Sequence, residues 1–143
     1  MLTFKYQFIT LMNLKLLLQL SLFGLIMAFA TVSLIPEKIE WMFWLVIFIF
    51  CAYVIAKVCT GKYFLHGFVL SLFNSIWVTM GHLIFFSSYM AHHPGVADMT
   101  NKMGTHPRLY TLFLAIPSGI IFGLIMGFFA FIASKMVKPK VVA

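Results

Sequence analysis

Residues 63–89 read YFLHGFVLSLFNSIWVTMGHLIFFSSY, and no Asp, Glu, Lys or Arg stands between Lys62 and Asp98. A helix needs about 20 mostly apolar residues to cross roughly 30 Å of hydrocarbon, and this stretch is long enough to do so. Working outward, three further stretches have the same character. Residues 16–35 lie between Lys15 and Pro36, residues 41–59 open at Trp41 with Lys57 near their end, and residues 109–134 lie between Arg108 and Lys135. Backbone amides find no water in hydrocarbon, so each stretch is expected to be helical. The reading is an all-α integral membrane four-helix bundle, a single domain over residues 1–143, with a loop at 91–108 and a basic tail at 135–143.

Composition supports the same solvent. Of 143 residues, 63% are hydrophobic and only 9% charged, with a mean hydropathy of +1.05. Soluble domains are typically about half apolar and a quarter charged. Thirteen charged side chains are too few to cover a water-soluble globule of this length. A soluble enzyme, a disordered chain, a coiled coil and a nucleic-acid-binding module are excluded, despite a pI near 9.7. Cys51 and Cys59 fall on one apolar run, about 12 Å apart along a helix axis, too far to bond to each other.

The charges divide by side. Four spans place the N-terminus, the 59–63 link and the C-terminus together, and that side carries Lys5, Lys15, Lys57, Lys62, Lys135, Lys138 and Lys140. The other side carries Lys38, Lys102 and Arg108 against Glu37, Glu40 and Asp98. The whole net +7 therefore lies on one face, and the positive-inside rule puts both termini in the cytoplasm. Trp41, Trp44, Tyr89 and Tyr110 fall at the expected outer interface and Tyr6 and Tyr63 near the inner one, whereas Trp77 lies mid-span as a packing residue. Lys5, Lys15 and Ala28-Phe29-Ala30 resemble a secretory signal, but the apolar run continues to Ile35, which suits a retained span. Residues 2–11 are expected along the cytoplasmic interface.

Between helices in lipid, small residues permit close approach. The fourth span carries Ala115, Gly119, Gly123 and Gly127, and the third carries Gly67, Ser71, Ser75 and Thr79, each row at steps of four. Each row forms a stripe on one helix face, fit to pack against the other span or against another subunit. Pro117 is expected to bend the fourth span near its outer end.

Polar groups inside the membrane are functional candidates by default. His66 lies close to Lys62 and reads as an interface residue, while Asn74 sits near mid-span and suits a hydrogen bond across helices. His82 lies in the outer half, as a packed neutral ring or a transport group. The outer loop holds His92, His93, Met99, Met103 and His106, donor types that suit copper or zinc, although their spacing matches no standard ligand pattern. A metal-free loop is the simpler reading, with no resident cofactor. The chain has no Gly-rich phosphate loop, twin-His zinc-protease pattern or Gly-x-Ser-x-Gly elbow. With the spans placed as above, none carries an acid, which argues against a carboxylate-driven antiporter.

From Lys57 to Lys140 the chain resembles uncharacterised four-span bacterial membrane proteins of a domain-of-unknown-function type common in Bacteroidetes. Gly61-Lys62-Tyr63-Phe64-Leu65-His66-Gly67-Phe68, Asn74-Ser75-Ile76-Trp77-Val78-Thr79, His93-Pro94 and Pro117-Ser118-Gly119 carry the resemblance. It implies a bacterial inner-membrane location and no particular activity. The expected role is non-enzymatic: an accessory or structural subunit in the lipid bilayer, packing as a homo-oligomer or within a larger membrane complex. The alternative is a small transporter or copper- or zinc-handling protein using His82 and the outer His/Met loop.

Overall fold

The computed structural model describes residues 12–138. The expected interfacial segment 2–11, with Lys5 and Tyr6, and the end of the basic tail, with Lys140, lie outside the described residues. Among the described residues 87% are helical and none is in a strand. Six helices follow in order: α1 Leu14–Ser33, α2 Glu37–Val58, α3 Tyr63–Ile84, α4 Phe86–His92, α5 Pro94–Lys102 and α6 Pro107–Met136. Four of them (α1, α2, α3 and α6) are long and apolar enough to cross a membrane.

Local chemistry sets most of the boundaries. The Asn13 side chain caps α1 by accepting the Leu16 N–H at 3.1 Å. Pro36, at φ −64° and ψ 143°, separates α1 from α2, and Glu37 and Glu40 then occupy the first turn of α2, where the helix dipole favours negative charge. Lys62, left-handed at φ 50°, turns the chain into α3. Pro94 and Pro107 stand at the starts of α5 and α6, where the missing N–H costs nothing.

Three boundaries differ from the sequence reading. The second long helix begins at Glu37, not Trp41, so both acids lie on it. The third ends at Ile84, and Phe85 (φ −100°, ψ 34°) separates it from α4, so Tyr89 belongs to a different helix from His82. The segment expected as a loop holds α5. Pro117 is accommodated within α6, which runs unbroken from Pro107 to Met136.

α3 is the hub, packed most extensively against α6 and α1, whereas α2 rests mainly on α6 and barely meets α3. The α1–α3 seam is close: a methyl group built at Gly81 would meet Ala28, and one at Gly24 would meet Asn74. Trp77 Nε1 donates to Ser21 Oγ across this seam at 3.2 Å. The α6 glycine row faces α3, with Gly119 against Ser75, Gly123 against the Phe68 ring and Gly127 against the Phe64 ring. Gly67 of α3 in turn abuts the Met126 backbone. At Gly123 and Gly127 the groove receives an aromatic ring, not another small residue. The continuous apolar core, including Leu17, Leu20, Cys51, Ile55, Leu70 and Met126, occupies the half of the helices nearer the chain termini.

Candidate functional site

The other half is hollow. A cavity of about 640 Å³ lies between α2, α3 and α6 and beneath α4 and α5, within the usual size range of small-molecule sites. Each wall is a helical stripe at steps of three and four: Glu37, Glu40, Trp41, Trp44 and Phe48 from α2; Ser71, Asn74, Ser75, Thr79 and His82 from α3; Thr111, Ala115, Ser118, Phe122 and Phe129 from α6. The α3 wall is made largely of short side chains, and α2 does not close onto it, so the space between them stays open. Phe48 meets Phe122 and Phe129 edge-on, each at 6.2 Å between centroids, and these rings separate the cavity from the dry core. From Glu37 to Phe48 the α2 wall is about 16 Å deep. Val96, Met99 and Thr100 of α5 line the other end. Trp41, Leu45 and Phe122 line the cavity and are also exposed at the surface, so it is not sealed.

The capped end gathers the titratable groups. The Thr31 hydroxyl donates to the Met27 carbonyl at 2.8 Å and lies 2.9 Å from His82 Nε2. A hydroxyl has one proton to give, so His82 Nε2–H is the donor in the second bond. The Tyr89 ring stacks on His82 at 3.7 Å between centroids and on His93 at 4.2 Å. Burial, and after it the carboxylates of Glu40 and Glu37, push the Tyr89 phenol above its ordinary range, so it stays neutral. His93, with no exposed surface, has Nδ1 at 3.0 Å from the Tyr89 carbonyl. A carbonyl only accepts, so Nδ1 carries a proton and Nε2 faces Glu40 Oε2 at 3.6 Å. With Nε2 also protonated, this contact is an imidazolium–carboxylate pair. Glu40 Oε1 accepts from Trp44 Nε1 at 3.1 Å. Glu37 touches Gly95, where a methyl group would clash with its carboxylate. Both acids of α2 therefore border the cap, Glu40 facing His93 and Glu37 lying beside Gly95.

The residues singled out from the sequence fall as follows. His82 joins the cavity cluster, and Asn74 also lines the cavity, although both of its amide atoms are buried without a hydrogen-bond partner. His93 turns inward, and Met99 lines the cavity while remaining partly exposed. His92, Met103 and His106 are exposed; His92 Nδ1 donates to the Ser88 carbonyl at 2.8 Å, and His106 borders a separate hollow beside Arg108. Among the described residues no three His, Cys, Asp or Glu side chains come together as a metal site would require. His66 is buried between helices: Nδ1 donates to the Lys62 carbonyl at 2.9 Å and Nε2 accepts the Asn13 N–H at 3.2 Å. Tyr89, expected at the lipid interface, is likewise buried. Glu37 and Glu40 fall before the span expected from Trp41, and the signal for them is spacing: Glu37 stands four residues before Trp41 and Glu40 four before Trp44. No family model matches the chain, and neither a curated protein nor a solved structure matches it.

Proposed function

We propose that this protein is a non-enzymatic integral membrane protein, a four-span bundle of the bacterial inner membrane with both termini in the cytoplasm, that binds and hands on a small amphipathic molecule. The cavity carries this reading: about 640 Å³, apolar over most of its walls and polar at one capped end. Such a space can hold an apolar body in its depth and a polar head at the cap. The orientation is supported by Lys15, Lys57, Lys62, Lys135 and Lys138 at the end opposite the cap. The glycine row of α6, whose spacing fits it to pack against the third span or another subunit, lies against α3 of the same chain and so gives no argument for an accessory role.

Native mass spectrometry of protein released from mild detergent tests the reading. Ser118 lines the cavity on an exposed part of α6, so Ser118→Trp fills the space without cutting into the core. Wild-type protein should retain a small-molecule adduct that Ser118→Trp loses. Identical adduct patterns, or a bare mass for both, would count against a binding role.

A further inference from the structure

The cavity is electrically one-sided. Among the described residues that line it, the acidic ones are Glu37 and Glu40, and none is Lys or Arg. Both carboxylates sit at the capped end, and among the described residues Glu40 faces a basic ring, that of His93, at 3.6 Å. Deeper, Trp44, Phe48, Phe122 and Phe129 present aromatic surface, which attracts a cation by its ring faces as well as an apolar body by burial. An amphipathic anion would meet two carboxylates with nothing to balance its charge. A zwitterionic lipid headgroup would bring a phosphate for which the lining offers no guanidinium or ammonium. Every charge facing the space thus favours the same ligand sign.

We infer that the ligand is a lipophilic cation, an aromatic or alkyl body carrying one ammonium-type charge, with Glu37 and Glu40 holding the charge and the aromatic floor holding the body. This rests on the binding role proposed above. The cation competes with His93 for Glu40. Glu37, on the first turn of α2 and against Gly95, is the second anchor. Ser75, Ser118 and Thr111 along the walls leave the middle of the space tolerant of different body shapes.

Tetraphenylphosphonium and tetraphenylborate are nearly the same shape with opposite charge, which isolates the sign of the site. Each is measured by equilibrium dialysis against purified protein in detergent, with the Ser118→Trp variant as the blank for micelle partitioning. The phosphonium should bind at least tenfold more tightly than the borate. Glu40→Gln and Glu37→Gln should each reduce that preference severalfold, and together abolish it, while all variants keep the wild-type elution profile and helical circular dichroism. Equal binding of both ions, or a preference that survives in the double Gln variant, would overturn the cation assignment and leave the binding role standing. Failure of either ion to bind above the blank, together with the absence of an adduct, would remove both.

Discussion

Gly67→Ala offers a strict test of the packing, because the obstacle it meets is backbone. A methyl group at this position would lie 2.5 Å from the Met126 carbonyl oxygen, 2.9 Å from the Met126 carbonyl carbon and 3.0 Å from Ala130 Cβ, whereas ordinary contact begins at 3.4 Å. No rotamer relieves the clash, since the Met126 carbonyl belongs to the α6 helix. α3 and α6 must move apart by a large part of an ångström, and a gap of 0.5–1 Å forfeits a quarter to a half of each contact along the seam. Overpacking of this kind costs about 1–3 kcal/mol. Against it stands the better helix propensity of Ala, about 0.5–1 kcal/mol. The net expectation is a loss of about 1–2 kcal/mol, or a drop of roughly 3–8 °C in thermal midpoint for a chain of this size.

Gly61→Ala supplies the control. Nothing lies within 4 Å of a methyl group there and its φ is not positive, so the substitution should be neutral or stabilising by about 0.4–1 kcal/mol. Gly123→Ala should fall between the two, because its nearest neighbour is the Phe68 ring edge at 2.8 Å, a side chain that can swing. Thermal unfolding in one detergent, followed by circular dichroism, gives the order Gly61→Ala, Gly123→Ala, Gly67→Ala from most to least stable. A Gly67→Ala protein melting at or above wild type would refute the α3–α6 register.

Thr31→Val removes the acceptor of the His82 Nε2–H bond while keeping the shape, and should lower stability by about 1–2 kcal/mol in the same melts, with Thr31→Ser close to wild type. His66→Leu strands the Asn13 N–H and should cost about 1–3 kcal/mol, with faster amide exchange over the first turn of α1. Cys51 and Cys59, 1% and 4% exposed, should resist maleimide in intact protein and react once it is unfolded in dodecyl sulfate; rapid labelling of native protein would contradict the core. Glu40→Gln removes one side of the His93 contact and should speed amide exchange in α5 and the first turns of α2, leaving α1 unchanged.

The spans were legible because hydrocarbon imposes a length and forbids unpaired amides, and both demands leave a trace in any sequence. The hub role of α3 was half legible: its row of Gly67, Ser71, Ser75 and Thr79 marked a face, but two of the α6 glycines turned out to receive Phe64 and Phe68 from beside that row. Spacing identifies a groove and not the knob that enters it. The α1–α3 seam was missed because Gly24 is the single glycine of α1 and Gly81 stands outside the four-step row of α3. The break at Phe85 has neither Pro nor Gly to announce it. Glu37 and Glu40 were misplaced for a more instructive reason: charge was taken as the boundary of an apolar segment, whereas a helix at the membrane surface tolerates acids in its first turn, where its own dipole favours them and a neighbouring cap can cover them. His93 then acquired its partner through a fold-level contact that no local pattern encodes.

The division of the molecule into a dry half and a hollow half is what the rules of helix association in lipid would give. Apolar area alone does not bring them together there, so each contact needs close backbone approach or a polar bond. α1, α3 and α6 meet these terms along their lengths, through Gly24, Gly67, Gly81 and the α6 row and through the Trp77–Ser21 and His82–Thr31 bonds. α2 has no glycine and presents Trp41, Trp44 and Phe48 to the space. It is seated on the core mainly by its second half, where Cys51, Ala52, Ile55 and Ala56 are buried. Its first half borders the cap, where Glu40 faces His93 at 3.6 Å and the Glu37 carboxylate lies beside Gly95. The carboxylates that border the cap are thus the same groups that line the cavity, and a cation drawn to them would meet the Glu40–His93 contact directly.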